Sequence, residues 1–74
     1  MGIRPDLSSL RESLPPIIPR TDIQRYLGSI LSTGHLENLD SAGLGPKRFR
    51  LGKKICYLRD DLVSWLEKRA EVLG

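Results

Sequence analysis

The sequence predicts a small α+β domain in which helices pack against a β-hairpin, and three observations lead to this prediction. Its 74 residues suffice for one domain at most. Apolar residues recur at helical spacing both before residue 43 and after residue 60. Between these stretches, residues 47–58 alternate between apolar and basic side chains around a glycine, which is typical of two short strands joined by a turn.

The composition excludes several kinds of protein. The one cysteine, Cys56, cannot close a disulfide within the chain, and one cysteine with one histidine gives no metal-binding spacing. No apolar run reaches the ~18 residues of a membrane-spanning helix, and the first residues lack the layout of a signal peptide. We therefore expect a soluble, cytoplasmic protein that uses no membrane, metal or cofactor.

The first nineteen residues are predicted to form an N-terminal helical extension, followed by a domain over residues 20–74. Leu7, Leu10 and Leu14 have the spacing of a short helical stripe. The proline pair after Leu14 should end that helix, because proline lacks an amide proton and restricts the residue before it. The stripe either covers exposed core or contacts a partner or a second copy of the chain.

The first main helix is predicted from Thr21 to Gly28. Thr21 can cap the first free amides while Gln24 reaches back to it. Gly28 suits the left-handed position that often ends a helix. A helix of this length needs tertiary packing to be stable.

A second helix is predicted after a small turn. Ser32 or Thr33 can cap it, and Gly43 ends it. Leu36 and Leu39 fall on one side of it. Two short helices joined by a turn, each with a narrow apolar stripe, indicate a helix-turn-helix.

A two-stranded hairpin with a type II′ turn at Gly52 is predicted over residues 47–58. Apolar side chains are expected on one buried face: Phe49, Leu51, Ile55 and Tyr57. Basic side chains are expected on the other face and at the tip: Arg48, Arg50, Lys53 and Lys54. Because an isolated hairpin is marginally stable, its apolar face must pack on the helices.

The third main helix closes the chain. Asp60 is expected to cap it, and Asp61 adds negative charge where the helix dipole favours it. Leu62, Trp65 and Leu66 follow at helical spacing. We expect Trp65 to be a core residue.

Charge is distributed unevenly along the chain. The net charge is +3, but residues 46–59 carry +6, whereas residues 21–45 and residues 60–74 carry −2 each. A basic segment concentrated on a hairpin favours contact with a polyanion, and nucleic acid is the first candidate. The simpler interpretation is a solvated charged surface.

Helix, turn, helix, basic two-stranded wing and closing helix together describe a winged helix-turn-helix. The segments TDIQRYLG, LENLDSAGLGP, RLGKKICY and DLVSWLEKR, in this order, resemble the small excisionase and AlpA-like phage regulators. The fold of that group is related to the DNA-binding domain of MerR proteins. The resemblance covers about residues 20–69, roughly two-thirds of the chain.

The resemblance implies binding to double-stranded DNA, with the second helix in the major groove and the wing against phosphates or the minor groove. By position, the groove-facing residues would be Ser32, Thr33, His35, Asn38 and Ser41. The basic residues on and beside the wing would be Lys47, Arg48, Arg50, Lys53 and Lys54. The second helix departs from the family in carrying Glu37 and Asp40 but no Lys or Arg, and acids facing phosphate would repel it.

Three functions follow as hypotheses. The resemblance implies a recombination directionality factor that associates with itself on DNA, bends attachment-site DNA and assists an integrase. A small phage or plasmid transcriptional regulator would use the same fold, and a protein-interaction module would not bind DNA. We do not expect an enzyme, because His35 has no partners at triad spacing and Cys56 is a lone thiol.

Overall fold

The structure is a computed structural model that describes residues 5–70 and 73. In chain order its elements are α1 (Leu10–Ser13), β1 (Ile17–Pro19), a 3-10 turn (Arg20–Asp22), α2 (Ile23–Leu27), α3 (Thr33–Ser41), β2 (Phe49–Leu51), β3 (Lys54–Leu58) and α4 (Arg59–Arg69). The predicted small α+β class is confirmed. In the described part of the chain, the longest helix is α4, and no helix has the length and apolar character needed to cross a membrane.

The sheet has three strands, so the prediction of only a two-stranded hairpin is wrong. Its order is β1-β3-β2, with both pairs antiparallel, and Ile18 of β1 lies opposite Tyr57 of β3. Proline restricts the residue before it to extended conformations, and the segment before β1 is rich in proline. An edge strand tolerates the missing amide proton of Pro19.

The core lies between one face of the sheet and the helices. Its buried members are Leu14, Ile18, Ile23, Leu27, Leu31, Leu36, Tyr57, Leu62 and Val63. Leu7 and Leu10 pack against this cluster, which is one of the two roles expected for the leucine stripe, and Trp65 packs against it from α4. The described part of the N-terminal segment therefore shares one core with the chain that follows residue 19.

The register of the hairpin corrects the predicted division of its faces. The two-residue turn pairs Leu51 with Lys54 and Phe49 with Cys56. Paired residues share a face, and side chains alternate along each strand. Phe49 and Leu51 therefore lie on the face opposite to Ile55 and Tyr57.

The inner face of the sheet consequently carries Ile18, Arg50, Ile55 and Tyr57. We call the opposite side the outer sheet face, and its members are Ile17, Pro19, Phe49, Leu51, Lys54, Cys56 and Leu58. Cys56 is buried there but lies outside the core cluster. In a hairpin with a two-residue turn, residues i and i+3 are paired, so odd-numbered residues of one strand share a face with even-numbered residues of the other. The predicted turn was therefore incompatible with the predicted single apolar face, whose four residues are all odd-numbered.

One predicted helix cap and the predicted hairpin turn are confirmed, and three other predicted helix-end features are wrong. Ser32 caps α3, and Gly52 adopts a φ of +64° at the hairpin turn, as a type II′ turn requires. Thr21 lies inside the 3-10 turn, so its predicted capping box does not form, and Gly28 is right-handed. Asp60 is inside the first turn of α4 and does not cap it.

Candidate nucleic-acid interface

Five basic side chains on and beside the hairpin are exposed, and we call them the hairpin cations: Lys47, Arg48, Arg50, Lys53 and Lys54. Arg48 Nη1 lies 3.9 Å from Asp40 Oδ1. Within residues 5–70, the other four hairpin cations form no ion pair with a carboxylate. Their charge is therefore directed to solvent.

Both ends of the hairpin adjoin α3. At the tip, a cleft of about 140 Å³ is lined by Arg20, Thr21, Glu37, Lys53, Lys54 and Ile55. At the base, Arg48 approaches Asp40 of α3. Arg50 lies between them on the inner face of the sheet, opposite Ile55. A ligand on the outer surface of α3 would therefore meet positive charge along the length of the hairpin.

The five predicted residues of α3 and its cap fall into two groups. Ser32 Oγ accepts a hydrogen bond of 3.1 Å from the amide of His35, and Thr33 Oγ1 donates one of 3.2 Å to the carbonyl of Arg20. These two half-buried hydroxyls hold the start of the helix in place. The exposed members are His35, Asn38 and Ser41, which leaves these three side chains on the solvent-facing surface of α3.

The two acids of α3 point in different directions, which corrects the expectation that both oppose phosphate. Glu37 is exposed, and its carboxylate lies 3.9 Å from Arg20 Nε. Asp40 is only 4% exposed, because it lies one turn after Leu36 on the side of α3 that faces the core. That spacing of four residues was the signal in the sequence that Asp40 is internal.

A buried polar cluster surrounds the Asp40 carboxylate. Tyr57 Oη and Arg20 Nη1 both donate to Asp40 Oδ2, the latter at 3.1 Å. Burial, together with the adjacent Asp40 carboxylate, raises the pKa of the Tyr57 hydroxyl well above its ordinary value. Burial opposes the charge on Arg20, but the hydrogen bond to Asp40 and the neighbouring Tyr57 and Glu37 together outweigh burial and raise the pKa of Arg20.

This cluster joins three segments that the sequence analysis treated separately. Arg20 comes from the 3-10 turn, Asp40 from α3 and Tyr57 from β3. Gly45 completes it, because a Cβ at that position would lie 1.9 Å from Asp40 Oδ1. The cluster therefore fixes the hairpin relative to α3, and it contains residues that were not predicted to belong to the site.

Arg59 belongs to the basic segment in sequence but not to the exposed surface. Its Nη1 atom donates to the carbonyls of Arg11 and Leu14 at 3.2 and 3.3 Å. These carbonyls lie at the end of α1, where helix backbone acceptors lack partners. Arg59 thus ties α1 to the start of α4, and five rather than six cations remain on the hairpin.

The described residues contain no group of three or more His, Cys, Asp or Glu side chains that could hold a metal ion. No protein-family model, curated protein or solved structure matches the chain at a significant level.

Proposed function

We propose that this chain is a sequence-specific, double-stranded DNA-binding protein of the winged helix-turn-helix type. The observation that carries the proposal is the group of exposed hairpin cations next to α3, which lie at the base, on both faces and at the tip of the hairpin. Four of the five form no ion pair with a carboxylate in the described chain. Lysine and arginine neutralise phosphates, and an electrostatic footprint confined to one part of a small domain is typical of DNA-binding proteins.

The elements have complementary roles in this proposal. α2, the turn and α3 form the helix-turn-helix, and the hairpin is the wing. Phosphate contacts position a protein on DNA without specifying the sequence, which is the role of the hairpin cations. Asn38 of α3 is the best candidate for reading a base, because an asparagine amide can pair with the edge of adenine in the major groove. His35 and Ser41 flank it on the exposed surface.

The biological role within this proposal follows from the resemblance over residues 20–69. An excisionase-like protein would bend attachment-site DNA and assist an integrase, with several copies on neighbouring sites. Transcriptional regulation is the alternative with the same DNA contacts. Measuring the end-to-end distance of a labelled attachment-site duplex separates the two, because only the architectural role requires the bound DNA to be bent.

The DNA-binding proposal is tested by removing hairpin charge. We expect Arg50→Gln/Lys53→Gln/Lys54→Gln to lose most affinity for a fluorescent duplex while keeping its circular dichroism spectrum. The matched control is Arg25→Gln/Lys68→Gln/Arg69→Gln, which removes the same charge from exposed positions on α2 and α4. Equal losses in the two variants would mean that net charge, and not the hairpin, determines binding.

The role of α3 has its own test. Asn38→Ala should change which base pair is preferred at one position of the site, because a bidentate contact contributes about 1–3 kcal/mol of discrimination. Selection from a randomised duplex library measures this preference. A uniform loss of affinity across all sequences would contradict base reading by Asn38.

A protein-interaction module is the second candidate, and one observation favours it. On the outer sheet face, Ile17, Leu51 and Leu58 are 40%, 60% and 47% exposed. Ile17 and Leu58 are cross-strand neighbours, whereas Leu51 lies opposite Lys54 at the other end of β3. Adjacent exposed apolar side chains often mark a protein contact. This candidate predicts no salt-sensitive DNA binding, so the duplex titration also decides between the two functions.

A further inference from the structure

We propose that Asp40 is a positioning residue for DNA binding: it holds the guanidinium of Arg48 in the angle between α3 and the hairpin. The inference deepens the proposed function and rests on it. It concerns a side chain that is itself almost inaccessible to DNA, since the side chain of Asp40 is 3% exposed.

The two oxygens of the Asp40 carboxylate have different surroundings. Oδ2 accepts hydrogen bonds from Tyr57 and Arg20. Oδ1 is buried and has no hydrogen-bond partner among the described residues, and Arg48 Nη1 lies 3.9 Å from it. A buried carboxylate oxygen is screened less by salt than an exposed one, so it attracts the nearest free guanidinium. Arg48 carries such a guanidinium within 4 Å of Oδ1.

The charges at this junction leave Arg48 available to an anion. One carboxylate faces two guanidiniums, and Arg20 already neutralises it through a hydrogen bond. The side chain of Arg48 is 44% exposed, and a guanidinium has five N–H donors. Contact with Oδ1 occupies one side of the group and leaves other donors facing solvent. Ordering a long side chain before binding reduces the entropy lost when it meets a phosphate.

The backbone supports the same arrangement. Gly45 lies against Oδ1, where any Cβ would clash, and the next residue, Pro46, is buried. Arg48 follows two residues later. This fixed backbone segment determines where the Arg48 side chain begins, and the Asp40 carboxylate determines where its guanidinium lies.

The decisive test compares two substitutions that each remove one negative charge from α3. Coulomb attraction alone predicts that Asp40→Asn and Glu37→Gln both raise DNA affinity, because both make the protein more positive. Positioning by Asp40 predicts opposite results. We expect Glu37→Gln to bind a fluorescent duplex as tightly as wild type or more tightly, and Asp40→Asn to bind about fivefold more weakly.

A double-mutant cycle with Arg48→Ala separates positioning from loss of stability. If Asp40 acts through Arg48, Asp40→Asn should have no further effect on affinity once Arg48 is absent. Measurements are made at a temperature at which circular dichroism shows every variant to be folded. Additive losses, or tighter binding by Asp40→Asn, would overturn the inference.

Two further measurements keep the inference testable if Asp40→Asn does not fold. Arg48→Ala should weaken binding more than Arg50→Ala does, because only Arg48 is held by a buried carboxylate; equal losses would overturn the inference. In free wild-type protein, nuclear magnetic resonance should show slower exchange of the Arg48 Nη1 protons, which face Asp40 Oδ1, than of the Nη protons of Arg50. Exchange as fast as that of Arg50 would overturn it as well. A wild-type protein that does not bind DNA would overturn the proposed function, and this inference with it.

Discussion

Two groups of basic side chains in this molecule have the same chemistry and different surroundings. Arg11, Arg20 and Arg59 are half-buried and bonded to other parts of the chain, and we call them the anchored arginines. The hairpin cations are exposed, and within the described residues only Arg48 among them lies within 4 Å of a carboxylate oxygen. The comparison teaches that the function of a cation in so small a domain depends on its partners, not on its position in a basic segment.

The anchored arginines connect segments that are distant in sequence. Arg11 Nε donates to Asp60 Oδ1 at 2.9 Å, which joins α1 to α4. Arg59 binds carbonyls at the end of α1, and Arg20 binds Asp40 of α3. Each contact holds one short helix against another element. The anchored arginines should therefore determine stability, and the hairpin cations should determine affinity for DNA.

The largest expected effect concerns Arg20. Arg20→Ala leaves the buried Asp40 carboxylate without its hydrogen-bonded cation, which should cost about 3 kcal/mol of unfolding free energy. Arg25→Ala, at an exposed position on the next helix, should change it by less than ~0.5 kcal/mol. Urea denaturation followed by circular dichroism measures both. Similar values for the two variants would remove the distinction between anchored and exposed arginines.

A second effect concerns alkaline pH. The pKa of Tyr57 is raised in the folded protein by burial and by Asp40, so the unfolded chain releases this proton first as pH rises. The contribution of protonated Tyr57 to the free energy of unfolding is complete below pH 10.0, the pKa of tyrosine in the unfolded chain. Above that pH the free energy of unfolding falls by up to about 1.4 kcal/mol per pH unit. In the Tyr57→Phe variant, the free energy of unfolding should not show this part of the decline as pH rises. Urea denaturation at pH 8 to 11 tests it, and parallel curves for the two proteins would contradict it.

The smallest expected effect on stability comes from the hairpin cations. The variant Arg50→Gln/Lys53→Gln/Lys54→Gln removes three exposed charges that form no ion pair in the described chain. Its unfolding free energy should stay within about 0.5 kcal/mol of wild type, because substitutions at exposed positions without partners have little effect. A marked loss in urea denaturation would show that these cations also stabilise the fold.

Local patterns in the sequence predicted much of the fold. The serine before α3 and the glycine of the hairpin turn act within a few residues, and both predictions are confirmed. The leucine stripe of the N-terminal segment packs on the core, although only Leu10 of its three leucines lies within α1. The pairing of β1 was missed because it joins residues of β1 and β3 that are about forty positions apart. Three residues with a proline carry no periodic signal of their own. The hairpin faces were assigned wrongly because a two-residue turn places the odd-numbered residues of β2 on the same face as the even-numbered residues of β3.

The candidate site was predicted in part for similar reasons. Exposure of the hairpin cations agrees with the predicted basic surface, since charged residues without buried partners usually face water. The role of Arg59 depends on carbonyls of α1 that no sequence pattern links to it. The burial of Asp40 was missed although the sequence carried a signal for it, because a spacing of four residues from Leu36 places Asp40 on the inner side of α3.

The central claim is that the hairpin cations contact DNA phosphates. The most direct test is the dependence of duplex affinity on salt concentration for wild type and for Arg50→Gln/Lys53→Gln/Lys54→Gln. Each phosphate contact contributes a slope of about −0.9 in log affinity against log salt, so we expect the slope of the variant to be shallower by about 2.7. Equal slopes for the two proteins would show that these side chains do not contact phosphate, and would contradict the account.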